Sequence, residues 1–117
     1  MSASHKNYPE LLKGINAGIV GLRGEIPDSL KAFGGLAKSA TDDGALDKKT
    51  KELMALAIGV ALRCDGCIGF HAKALVELGA TDAEIAETLG MTVYLGGGPA
   101  LMYAADAWTA WQQLKTE

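Results

Sequence analysis

Four residues in the middle of the chain have the chemistry and the spacing of a reactive site: Glu52, Cys64, Cys67 and His71. Cys64 and Cys67 are the only two cysteines, and two residues separate them. Cysteines at this spacing occur in metal sites, in stable crosslinks and in redox couples. A reactive thiol must first lose its proton, because the thiolate is the nucleophile and a free cysteine has a pKa of about 8.5. The histidine and the glutamate therefore indicate proton transfer beside the sulfur atoms.

We expect the two cysteines to lie at the start of a helix, at positions i and i+3, where both sulfurs are on one face and close enough to bond. The partial positive charge at a helix N-terminus favours a thiolate there. His71 follows Cys67 by four residues, so Cys67 is the thiol best placed to exchange a proton with it. The dipole argument favours Cys64 as the attacking thiol, whereas the general-base argument favours Cys67.

Each of these residues also has a plain structural interpretation. Glu52 is an ordinary acidic residue near a helix start, or it is buried against the next helix and orients His71. His71 is a solvated helix residue, or it is the base that serves Cys67. The cysteine pair itself has two rival interpretations. Cys64, Cys67 and His71 could bind zinc with Glu52 or water as a fourth ligand, or the two cysteines could be buried and inert.

The rest of the sequence predicts an all-α fold of about six short helices, with no alternating strand pattern. Asp47 is a candidate N-cap, Thr81 begins a capping box and Gly79 is a candidate C′ residue. Three glycines at 96–98 followed by Pro99 predict a break between the last two helices. The predicted ranges are about 8–20, 27 to 38 or 39, 48–63, 64–78, 81–95 and 99–114.

Apolar residues exceed what one small chain can cover. The third predicted helix is apolar on every side after its first turn, which predicts burial all round, and Gly59 within it predicts a close approach to another helix. The last helix carries an apolar stripe ending in Trp108 and Trp111. We therefore predict a homo-oligomer. The alternative is that both tryptophans complete the core of a single subunit.

Length and composition are those of one folded domain covering residues 1–117. The chain has 49% apolar and 21% charged residues and a formal net charge of −3. Because no basic stripe occurs, nucleic acid and anionic membrane surfaces are not expected partners. No signal peptide is visible behind residues 1–7, and His5 in this segment is interpreted as incidental. We therefore expect a cytoplasmic protein, in which a Cys-x-x-Cys pair is more often catalytic or metal-binding than structural.

Taken together, Glu52, Cys64, Cys67 and His71 resemble the active-site signature of the alkylhydroperoxidase D-like proteins of the carboxymuconolactone decarboxylase superfamily. The pattern is Glu, eleven residues, Cys, two residues, Cys, three residues, His, and every interval matches. The resemblance is close over residues 47–95. At Gly66 the sequence departs from the better-studied peroxidase members, which carry a second histidine just before the second cysteine.

The resemblance implies an all-α module that forms trimers or hexamers and a Cys64–Cys67 couple that cycles between dithiol and disulfide. Cys67 would be served by a proton relay through His71 and Glu52, and Cys64 would be the resolving partner. The implied activity is reduction of hydroperoxides, or electron transfer to a thiol enzyme, with an external dithiol as donor and no bound cofactor or metal. The decarboxylase branch, with His71 and Glu52 as acid and base, is the alternative, although it does not depend on a cysteine pair.

Overall fold

The fold is all-α, as predicted from the sequence. The computed structural model describes residues 6–117, so His5 lies outside the described part of the chain. Five helices follow one another with short connections: α1 Tyr8–Glu25, α2 Pro27–Thr41, α3 Lys48–Ala61, α4 Asp65–Glu77 and α5 Asp82–Lys115.

The predicted break between the last two helices is a kink inside α5 and not a loop. Gly97 has φ of 69° and ψ of −150°, which are not helical angles, and the chain resumes its helix at once. The positive φ is available to glycine without steric cost. Pro99 lies two residues further on and has no backbone N–H to give to the preceding turn. The fifth and sixth predicted helices are therefore the two arms of α5.

Capping residues set the other boundaries largely where the sequence places them. The Asp47 carboxylate accepts a hydrogen bond of 2.8 Å from the N–H of Thr50. Thr81 and Glu84 form both hydrogen bonds of the predicted capping box at the start of α5. Gly79, with φ of 77°, follows α4 as the predicted C′ residue.

The core lies where α3, α4 and α5 pack together, and the first half of α1 covers one side of it. Its largest fully buried side chains come from all four helices: Tyr8, Leu56, Val60, Ile68, Leu75 and Ile85. Trp111 is also buried, whereas Trp108 packs against the core and is only partly covered. Trp111 thus completes the core of one subunit.

The burial of α3 is one-sided, so the prediction that it is buried all round is wrong for a single subunit. Leu56 and Val60 are buried, but Met54, Ile58 and Leu62 are exposed on the opposite side. Local sequence shows how apolar a helix is, and it does not show how many neighbours one subunit can place around it. A further long helix, α2, has none of its described residues 27–41 buried.

Candidate functional site

The two cysteines lie where α3 gives way to α4. The chain leaves α3 through Leu62 and Arg63, and Arg63 takes a left-handed φ of 56°. The N–H of Cys64 donates to the carbonyl of Gly59 at 3.0 Å, and that of Arg63 donates to the carbonyl of Val60 at 3.1 Å. These are the two hydrogen bonds of a Schellman motif. This tight turn delivers Cys64 directly to the start of α4.

Cys64 and Cys67 are joined by a disulfide, with their Cα atoms 5.2 Å apart. Cys64 is the N-cap of α4, and its sulfur accepts a hydrogen bond of 3.1 Å from the N–H of Cys67. Both residues are partly exposed, so they are not the inert buried cysteines of the rival interpretation. Among residues 6–117, no group of three or more His, Cys, Asp and Glu side chains is arranged to hold a metal ion.

The glutamate and the histidine meet across the interface of α3 and α4. Glu52 is only 6% exposed, and its Oε1 lies 2.7 Å from Nδ1 of His71. An ionised carboxylate can only accept, so the ring donates its Nδ1–H and Nε2 is left for other partners. The side chain of His71 is 33% exposed and reachable from solvent. Of the two interpretations of Glu52, the structure has the one in which it is buried and holds the ring of His71.

Two glycines let α3 and α1 approach the cysteine turn closely. A Cβ at Gly59 in α3 would lie 3.2 Å from Cβ of Cys67, which confirms the close approach predicted for Gly59. At Gly66, between the cysteines, a Cβ would lie 2.9 Å from Cδ1 of Ile15 in α1. Ile15 of α1 therefore lies against the position of Gly66, and a side chain there would have to displace it.

A further charged residue of the cysteine turn was not predicted from the sequence. Asp65 pairs with Lys6, whose Nζ lies 3.1 Å from Oδ2 of Asp65 and 3.1 Å from Oδ2 of Asp106 in α5. The hydroxyl of Tyr8 also donates to Asp106. Lys6, Asp65 and Asp106 lie far apart in the sequence, and no local pattern predicts that they meet.

An apolar cavity of about 330 Å³ opens between α3 and α5. Ala57, Ile58 and Ala61 line one wall, and Met91 and Leu95 line the other. Arg63, the neighbour of Cys64, also lines it, but none of the four predicted site residues does. The cavity is therefore separate from the Glu52–His71 pair.

Comparison with known proteins places this helical arrangement in a family. The model of the carboxymuconolactone decarboxylase family matches residues 27–110, which include Glu52, both cysteines and His71. The chain belongs to the carboxymuconolactone decarboxylase family. This agrees with the resemblance that the four spaced residues carry.

Solved structures of other family members share the fold. A carboxymuconolactone decarboxylase family protein from Legionella pneumophila, in its apo form, is 52% identical over 92% of this chain and 96% of its own, with a TM-score of 0.91. A member from Thermotoga maritima, with a suggested involvement in antioxidative response, is 36% identical over 75% of this chain and 91% of its own, with a TM-score of 0.69. An uncharacterized protein from Cupriavidus necator is 42% identical over 69% of this chain and 72% of its own.

Within the described residues, no helix combines the length and the hydropathy that crossing a bilayer requires.

Proposed function

We propose that this family member is a thiol-dependent peroxidase with an antioxidant role, in which Cys64 and Cys67 form a redox couple that reduces hydroperoxides. The observation that carries the proposal is a bonded cysteine pair on the same helix as a histidine whose ring is held by a buried carboxylate. The suggested antioxidative involvement of the Thermotoga maritima relative supports the same class of activity.

The proposed cycle begins with the dithiol form. The thiolate of Cys67 attacks one peroxide oxygen, the O–O bond breaks, and the alcohol leaves after taking a proton, so that Cys67 becomes a sulfenic acid. The thiol of Cys64 then attacks that sulfur and water leaves as the disulfide forms. An external dithiol, free or carried by a partner thiol enzyme, reduces the disulfide and is itself oxidised to a disulfide.

His71 and Glu52 would move the proton in this cycle. With Nδ1–H bound to Glu52, the imidazole can take the thiol proton of Cys67 at Nε2 and return it to the leaving alkoxide. Glu52 stabilises the imidazolium that forms in between, because its carboxylate lies 2.7 Å from the ring. We place Cys67 as the attacking thiol and Cys64 as the resolving thiol, because Cys67 lies one helical turn before His71, which can take its proton. The N–H of Cys67 donates to the sulfur of Cys64 and stabilises negative charge there as well, so the general base decides the assignment.

We propose that the working form is a homo-oligomer, a trimer or a hexamer, in the cytoplasm, where dithiol donors are maintained. Support comes from the apolar surface of α3 and α5, on which Leu62, Tyr94 and Leu95 are 70%, 78% and 79% exposed. Phe33 and Leu36 on α2 are exposed as well. Large apolar patches of this kind usually mark interfaces.

Peroxide consumption by the pre-reduced protein, followed by stopped flow, tests the proposed function. We expect Cys67→Ser to abolish the fast reaction and Cys64→Ser to permit one oxidation without disulfide formation. Equal rates in the wild type and both variants would overturn the proposal.

Lyase chemistry by the Glu52–His71 pair is the second candidate, because a histidine held by a carboxylate can also act as an acid–base catalyst without sulfur. Decarboxylation of a carboxylated lactone is the assay for this candidate. Lyase activity should survive both Cys→Ser changes and be lost in His71→Gln. Zinc in the purified protein, detected by metal analysis, would instead favour a metal-binding module.

A further inference from the structure

Asp65 is the charged residue that lies between the two cysteines in the chain. Asp65 follows Cys64 in the chain and is the first residue of α4, with Gly66 and Cys67 after it. When the pair is reduced and one thiol ionises, the carboxylate and the thiolate are like charges within one helical turn. A neighbouring like charge disfavours ionisation and raises a thiol pKa. The disulfide carries no such charge, so this repulsion acts on the reduced form alone.

The ammonium group of Lys6 lies against this carboxylate. Its Nζ lies 3.1 Å from Oδ2 of Asp65 and 3.1 Å from Oδ2 of Asp106, so it bridges the cysteine turn and α5. Burial lowers the pKa of Lys6, but the hydrogen bonds to Asp106 and Asp65 outweigh it and hold the pKa above its usual value. Lys6 therefore stays charged throughout the pH range in which thiols titrate.

The segment that carries Lys6 is fixed to α5 by its backbone. The side-chain amide of Gln113 donates to the carbonyl of Lys6 at 3.0 Å and accepts from the N–H of Tyr8 at 2.8 Å. The ammonium also lies 5.3 Å from the ring centre of Tyr103, a cation–π distance. An ion pair between two fully mobile surface chains contributes little. Here the cation is also held by contacts other than Asp65, namely Asp106 and the ring of Tyr103.

We propose that Lys6 is a positioning residue of the redox couple: by pairing with Asp65 it offsets the negative charge beside the cysteines and stabilises the thiolate of the reduced form. The proposal rests on the proposed redox function and deepens it. The other charged groups next to the cysteine turn are Arg63 in the preceding turn and His71 with Glu52 on α4 and α3. None of them is within ion-pair distance of Asp65 among the described residues.

Equilibration with glutathione tests the role of Lys6. Two glutathione thiols reduce the Cys64–Cys67 disulfide to the dithiol and become oxidised glutathione, which balances the two electrons. The protein is quenched with acid, alkylated and weighed by mass spectrometry to obtain the equilibrium constant. The thiol pKa follows separately from the ultraviolet absorbance of the thiolate.

We expect Lys6→Met to raise the thiol pKa and to shift the equilibrium toward the disulfide by about three- to tenfold, where tenfold corresponds to about 30 mV for a two-electron couple. Lys6→Arg keeps the charge and should therefore leave the equilibrium constant with glutathione close to the wild-type value. Asp65→Asn should lower the thiol pKa and shift the equilibrium toward the dithiol.

The double variant separates a role through Asp65 from a general loss of structure. If Lys6 acts by offsetting Asp65, Lys6→Met should change the constant by less than about twofold in the Asp65→Asn background. A shift of equal size in both backgrounds, or no shift in either, would overturn the role of Lys6. A wild-type protein whose cysteines glutathione and stronger dithiols cannot reduce would instead overturn the redox function itself.

Discussion

The carboxylate of Glu52 in α3 lies 2.7 Å from Nδ1 of His71 in α4, with the carboxylate buried and the ring partly exposed. The contact orients the ring through Nδ1, so the other ring nitrogen, Nε2, is the one that can exchange a proton with a thiol. Helix geometry brings His71 within one turn of Cys67 on the same side of α4. This arrangement supports the proposed proton route from the sulfur of Cys67 through the imidazole to the buried carboxylate.

Replacement of either member of this pair should slow the oxidation of Cys67. We expect His71→Gln to lower the stopped-flow rate of peroxide reduction by about 10²- to 10⁴-fold, the usual contribution of a general base. Glu52→Gln should lower it less, because the amide oxygen can still accept from Nδ1–H but carries no charge. Glu87→Gln, an exposed change on α5, is the matched control. A Glu52→Gln rate equal to that of Glu87→Gln would contradict the relay.

The hydroxyl of Tyr8 should stabilise the fold in a pH-dependent way. Burial and the hydrogen bond to Asp106 raise the pKa of Tyr8 above its usual value. The stabilisation is therefore fully present below the unfolded pKa of about 10 and is lost as the pH rises toward the folded value.

We expect Tyr8→Phe to lower the free energy of unfolding by about 1.5–3 kcal/mol at neutral pH, as is typical of a hydrogen bond to a charged group. Urea unfolding at about pH 7 and about pH 11 measures the difference from the wild type, which should narrow at the higher pH. A difference that is constant with pH would show that the hydroxyl does not act through its proton.

The packing of α1 on α4 should tolerate no side chain at Gly69. A Cβ there would lie 2.7 Å from Cδ2 of Leu12 and 3.0 Å from Cδ1 of Tyr8, two buried side chains. We expect Gly69→Ala to cost about 1–3 kcal/mol through overpacking. Gly14→Ala in α1, where a Cβ meets nothing within 4 Å, is the control and should stabilise by about 0.4–1 kcal/mol. Chemical denaturation of both variants decides; equal effects would mean that α1 does not pack as described.

The apolar surface of α3 and α5 should be covered in solution. We expect the wild type to sediment as a trimer or hexamer and Leu95→Glu to dissociate it, because a charge would then be buried without a partner. Lys73→Glu on the exposed side of α4 is the control and should leave the assembly intact. A monomeric wild type in analytical ultracentrifugation would refute the proposal.

Local signals in the sequence were sufficient for most helix boundaries and for the close approach of Cys64 to Cys67. Asp47 and the Thr81 capping box mark helix starts through hydrogen bonds within one turn, and Gly97 with Pro99 marks the kink in the same local way. The first helix ends at Glu25 and not near the predicted residue 20, because the backbone leaves helical angles only at Ile26.

Features that depend on distant partners were beyond the reach of the sequence. The pairing of Lys6 with Asp65 joins residues brought together only by the folded chain. Likewise, the family resemblance showed only that Gly66 departs from the expected pattern. The structure shows that Ile15 of α1 lies against that position. One side of α3 is exposed because a single subunit has too few helices to surround it, and the sequence of α3 alone does not show this.

A cysteine pair that delivers two electrons to a peroxide must give a fixed stoichiometry in a single turnover. The protein is fully reduced, freed of reductant and mixed with excess cumene hydroperoxide, and the alcohol product and remaining thiols are counted. We predict one alcohol formed for each pair of thiols lost, with the Cys64–Cys67 disulfide as the product. If the thiols persist and no alcohol forms, the cysteine pair does not reduce peroxide.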